Sequence, residues 1–187
     1  IAVENIFNAR NYTSPEDVDP SIDVSQGIGY LAGDGENLYN FNTLTGEISR
    51  MTVADGKLSF EKLATLDMQT FMITQDDYSY LMDMRTPVVT GGHLYFITND
   101  WSGNDPVYTL VNVDLADGKT ASVKLDRNVG ELAAYKPTDA GTPALLAYVY
   151  ADWDEQTQLP IPAQLAVMDS VTGKMTTLVT LENYENI

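Results

Sequence analysis

The residues able to do chemistry in this chain are few. The single histidine, His93, follows Gly91-Gly92 and starts an apolar run. As a general base it would need a positioned nucleophile and an orienting carboxylate, and no G-x-S-x-G signature accompanies it, so it reads as a strand-edge histidine near a turn. There is no cysteine, hence no disulfide framework, thiolate ligand or thiol nucleophile, and one histidine cannot build a multi-histidine zinc site. Carboxylates are abundant and cluster at Asp17/Asp19/Asp23, Asp76/Asp77 and Asp152/Asp154/Glu155. Calcium is the ion such oxygens would hold, but no EF-hand spacing is present, and solvated loop acids are the default reading. No metal and no cofactor is therefore expected. The more pointed signal is a pair of tryptophans. Asp100-Trp101 and Asp152-Trp153 each end an apolar run and open a polar loop, Ser102–Pro106 in one case and Asp154–Pro162 in the other. An indole in such a loop can stack on a sugar or aromatic ligand or receive a cation; its ordinary alternative is a packing spacer between sheets. Trp101, Trp153, Asp100, Asp152 and Asp154 are the candidate ligand-binding residues, and no catalytic set is assigned.

These loops must be carried by strands. Asp55-Gly56-Lys57, Asp117-Gly118-Lys119 and Thr172-Gly173-Lys174 recur at similar spacing, each between two runs rich in β-branched and apolar residues. Glycine between such runs supplies positive φ at no steric cost and predicts a hairpin. Upstream of each turn lies another such run: Leu38–Phe41, Leu94–Ile97 and Leu145–Tyr150. The first closes with Thr43-Leu44-Thr45-Gly46 and no tryptophan. About four strands per unit, over units near 27–66, 86–126 and 130–182, predict an all-β, propeller-like array of four-stranded antiparallel blades, with a β-sandwich as the alternative. A helix is expected only around Ser14–Val18, where Ser14 could cap and Pro15 occupy the first turn. Closed propellers have about four blades or more, so three units predict one propeller region over 1–187 that is an open piece of a larger ring, with bare sheet edges prone to pairing. The sequence opens at Ile1 with no charged-then-apolar leader, and the expectation is a processed or partial chain.

Charge narrows the partners. Acids number 27 against 10 bases in 187 residues, a formal charge of −17, which repels phosphate backbones and anionic lipid. Nucleic acid is not an expected partner. Nor is membrane insertion, since the longest apolar run, Ala144–Ala151, is far shorter than the ~20 residues of a spanning helix.

Asn11-Tyr12-Thr13-Ser14-Pro15-Glu16-Asp17-Val18, then Ile22-Asp23-Val24-Ser25-Gln26-Gly27-Ile28-Gly29, resembles the opening of a family of Bacteroidetes surface-lipoprotein β-propellers of largely unassigned function. Leu38–Asn42 and Ile48–Leu58 look like the first blade of that family, so the likeness covers about the first third of the chain. It implies an extracytoplasmic protein at the bacterial surface or in the periplasm, encoded beside outer-membrane receptors, one of which would be a partner. It also implies capture of a small ligand such as a siderophore or glycan. No binding or catalytic motif of the family maps onto these residues. The functional expectation is a non-enzymatic ligand-binding propeller. The competing reading is a propeller-fold glycoside hydrolase using loop carboxylates, and a third is an interaction scaffold with no small ligand.

Overall fold

The computed structural model describes residues 29–54, 57–75, 78–85, 87–135, 143–154 and 156–181. The expected helix at Ser14–Val18 lies outside them, as do Asp55-Gly56 and the acids at 17, 19, 23, 76, 77 and 155. The described chain is all-β, and its sheets are antiparallel, none of them closed into a barrel.

The first sheet is a plain meander of β1 (Tyr30–Gly33), β2 (Leu38–Asn42), β3 (Glu47–Ala54) and β4 (Lys57–Thr65), in the order β1-β2-β3-β4. A short 3-10 turn, Met68–Phe71, then leads into the hairpin β5 (Met72–Gln75) and β6 (Tyr78–Leu81). The sequence reading did not anticipate this hairpin. The turn starts because the Asp67 carboxylate accepts from Gln69 N–H at 3.0 Å.

The second sheet comprises β7 (Asp83–Met84), β8 (Val88–Thr90), β9 (His93–Asp100), β10 (Val107–Asp114) and β11 (Thr120–Leu125). Both β7 and β8 pair with β9, at Asp83↔Asn99 and at Val88↔Tyr95, so they lie along the same edge of that strand. Pro87 has no N–H to give to the ladder, which fits an edge and not a central strand. The third sheet takes the order β12 (Val129–Tyr135), β13 (Ala144–Val149), β16 (Ala163–Asp169), β17 (Met175–Leu181). Between β13 and β16 a small separate hairpin forms from β14 (Asp152–Asp154) and β15 (Leu159–Ile161). The polar loop expected at 154–162 is thus partly strand. Its arms are three residues long and one contains Pro160, so no alternation announces them.

The turns after the third strand repeat in detail. Gly118 N–H donates to Asp114 O at 2.8 Å and Gly173 N–H to Asp169 O at 2.9 Å, with φ of 73° and 70°. Each turn also packs on the fourth strand of the preceding sheet. A Cβ on Gly118 would meet Ala64 Cβ at 3.2 Å, and one on Gly173 would meet Leu125 Cδ2 at 2.8 Å. β3 and β4, which Asp55-Gly56 join, pair out to Ala54↔Lys57.

The sheets stack face to face through two apolar clusters. One joins the first sheet to the second (Tyr39, Phe41 and Ile48 against Leu94, Phe96, Val111 and Val113), and Phe41 and Phe96 stand 5.4 Å apart. The other joins the second to the third (Tyr95, Ile97 and Leu110 against Leu145, Ala147, Ala166 and Met168). β9 therefore sends alternate side chains into different cores, and its interior is buried without a break. The initial strands also gather, β1 near β8 and β8 near β12, and Tyr30 Oη donates to Met84 O at 3.2 Å. Face-to-face sheets of this kind are consistent with the sandwich alternative as well.

Candidate ligand-binding rim

The loops between second and third strands lie at the same end of their sheets. In the first sheet this connection is tight. Asn42 Oδ1 accepts from Leu44 and Thr45 N–H, Gly46 N–H donates to Asn42 O at 2.8 Å, and Leu44 is left 88% exposed. In the second sheet Asp100 Oδ1 accepts from Ser102 N–H (2.9 Å) and Ser102 Oγ (2.6 Å), turning the chain directly after β9. Trp101 stands at that corner, 52% exposed, edge-on to Tyr108 with ring centroids 5.8 Å apart.

In the third sheet Trp153 sits on β14 opposite Pro160, 53% exposed. Asp152 Oδ1 accepts from Trp153 N–H at 2.8 Å. Asp154 heads the β14–β15 turn, accepting from Gln156 and Thr157 N–H at 2.9 and 3.1 Å. Gln158 adopts φ 56° there, the left-handed position that glycine holds in the other turns.

The Tyr108 hydroxyl is pushed up by burial and, to a lesser degree, by the negative charge of Asp152. Asp152 Oδ2 in turn lies 3.6 Å from Arg127 Nε, and Arg127 Nη2 donates to Tyr150 O at 2.7 Å. The carboxyls of Asp100 and Asp154 are held below the ordinary range, by the Ser102 hydroxyl and N–H in one case and by Thr157 and the Gln156 N–H in the other. His93 Nδ1 lies 2.9 Å from Asn112 Oδ1, well away from this end of its strand.

All five sequence-derived candidates thus fall on the loops of one end. Trp101 and Trp153 are exposed there, Asp100 and Asp154 each engage Oδ1 in turn hydrogen bonds, and Asp152 faces Arg127. Tyr108 and Arg127 were not singled out by sequence. Tyr108 reads as one more strand tyrosine, and Arg127 as a linker cation between β11 and β12. Among the described residues no three His, Asp or Glu side chains gather as metal ligands, and no helix is long and apolar enough to cross a membrane. Neither a family model nor a curated protein sequence matches the chain.

Proposed function

We propose that the chain is part of a non-enzymatic, ligand-binding β-propeller, an extracytoplasmic bacterial protein whose second-to-third-strand loops form a rim that captures a small ligand such as a siderophore or a glycan. Support for the propeller comes from the repeated meander, the gathered initial strands and the glycine turns that each seat on the sheet before. One observation carries the function. Both indoles are half exposed at the same end of adjacent sheets, Trp101 edge-on to Tyr108 and Trp153 on β14. A buried spacer would not leave so much ring surface in water, whereas stacking platforms require it. The resemblance of the first third of the chain to surface lipoproteins points the same way, with an outer-membrane receptor as the partner that would take the ligand on.

The hydrolase reading draws less support. A general acid must keep its proton near neutral pH, and turn hydrogen bonds push Asp100 and Asp154 in the opposite direction.

The chain has only these two tryptophans, so intrinsic fluorescence reports the rim directly. Titration with a panel of ferric catecholates, ferric hydroxamates and oligosaccharides should give a saturable change with at least one class. Trp101→Ala and Trp153→Ala should each weaken that binding by about 3- to 10-fold, the worth of one aromatic contact, while lowering stability by about 1 kcal/mol or less. Strong destabilisation with unchanged affinity would return both rings to a packing role.

A further inference from the structure

A cleft of about 550 Å³ opens between the second and third sheets, where the end of β11 and the link to β12 face the β16–β17 turn. Lys124, Arg127 and Lys174 line it, three of only ten cations in a chain of charge −17. Four other cations of the described residues are matched. Arg50 pairs with Glu61, Lys62 with Glu47, Arg85 with Asp83 and Lys119 with Asp117. Lys124 and Lys174 have no carboxylate partner among the described residues. With nearly three acids for every base, two lysines without a carboxylate partner bordering one cleft stand out from the general surface charge.

The fold holds these charges together. Gly173 seats its turn on Val123 and Leu125, which brings Lys174 beside the strand that carries Lys124. Arg127 is fixed by donating to Tyr150 O, and its nearest carboxylate, Asp152, is too far from Nε for a hydrogen bond and is itself half exposed. The guanidinium is thus a positioned group, paired with Asp152 but with Nε making no hydrogen bond. Val149 and Met175 give the cleft an apolar part, and Gln164, Thr172 and Thr177 add neutral polar groups. Thr177 Oγ1 donates to Gln164 Oε1 at 2.8 Å, which leaves the Gln164 N–H₂ end as a further donor, and Asp126 is the lone acid of the cleft.

We propose that this cleft is a binding site for a small polyanion, its carboxylate or phosphate oxygens held between the Lys124 and Lys174 ammonium groups and the Arg127 guanidinium. The volume exceeds that of one phosphate, and three separated cations suit a ligand with two or more anionic groups. The site shares Arg127 with the rim, where that residue pairs with Asp152, but it does not require the tryptophans to bind a ligand.

Calorimetric titration of the full chain with citrate and with inorganic pyrophosphate, at low salt and again at about 0.15 M, tests it. At least one anion should bind saturably, more weakly at the higher salt, and the tighter of the two assigns carboxylate or phosphate chemistry. Lys124→Gln with Lys174→Gln changes two exposed side chains and should weaken binding about tenfold with the melting temperature unchanged. Arg127→Gln should weaken it by tenfold or more; if that variant fails to fold, the lysine pair decides alone. Absence of binding by both anions, or equal binding by the lysine variant, overturns the proposal.

Discussion

The second and third sheets share strand order, turn chemistry and a tryptophan loop, yet they are buried differently. β9 lies between two neighbours and buries six residues in a row, Leu94 to Asn99. β13 holds the same place in the third sheet but alternates. Leu145, Ala147 and Val149 enter the core, while Leu146 and Tyr148 on the other face stay partly exposed beside Val167 and Leu165 of β16. Burial is thus unbroken along the strand covered twice and alternates along the one covered once, although β13 is the longer apolar run in sequence. The burial pattern, not the apolar run, reports how many faces the sheet hides.

The largest test of that contrast lies in the cores. Phe96→Ala, which removes a ring packed on Phe41 and Phe71, should cost about 3–5 kcal/mol in denaturant unfolding. Leu146→Ala on the outer face of the third sheet should cost about 1 kcal/mol or less. Equal losses would mean that the outer face is covered in solution, by a second copy or another sheet.

The turns give a smaller, sharper comparison. Gly118→Ala and Gly173→Ala both place a Cβ in the left-handed region, a backbone cost of about 1–2 kcal/mol. Gly173→Ala should be the worse of the two, because its Cβ lands 2.8 Å from Leu125 Cδ2 and 3.2 Å from Val123 Cγ1, whereas Gly118 meets Ala64 Cβ at 3.2 Å. Thermal melting of both variants checks the order.

The smallest effects concern the carboxylates that head these turns. Asp169 Oδ1 accepts from Val171 N–H, Thr172 N–H and Thr172 Oγ1, while Asp114 Oδ1 accepts from Ala116 N–H. Asp169→Ala should therefore destabilise more than Asp114→Ala, by about 1 kcal/mol. The Thr172 donors, with that of Val171, hold the Asp169 carboxyl below the ordinary range against the opposing effect of burial. A depressed carboxyl pKa contributes stability that is complete above its unfolded value of about 3.9 and is lost as pH falls through the lower folded value. Asp34 behaves likewise: burial would raise its pKa, but the Tyr39 hydroxyl and the Asn37 and Glu36 N–H groups outweigh it. Acid unfolding should accordingly steepen below about pH 4, and Asp169→Asn should flatten part of that dependence. An unchanged acid limb in the variant would remove Asp169 from the account.

Hairpins and strands were legible in the sequence because they are local. Gly118 and Gly173 announce a left-handed turn position, and Tyr, Val, Leu and Ile on either side have nowhere to bury except a sheet. Asp100-Trp101 closes β9 directly, whereas Asp152-Trp153 comes after the end of β13 and within β14, so the likeness of the two pairs in sequence does not extend to strand position. The β5–β6 hairpin and the β14–β15 arms were not legible: they are short, and their pattern does not differ from that of a polar loop. The β7/β8 edge had Pro87 as its one sign.

Which groups meet across sheets was decided by the tertiary structure alone. Trp101, Tyr108, Asp152 and Arg127 come from strand β10 and from three segments between sheet strands, and nothing in their spacing says that one charge bears on the next. Lys124 and Lys174 look like ordinary surface lysines until the Gly173 turn seats on Leu125. The difference is physical: a turn residue is dictated by its own backbone and a strand by a period of two, but a cleft depends on the packing of whole sheets, which side-chain volume and twist settle only when the sheets meet.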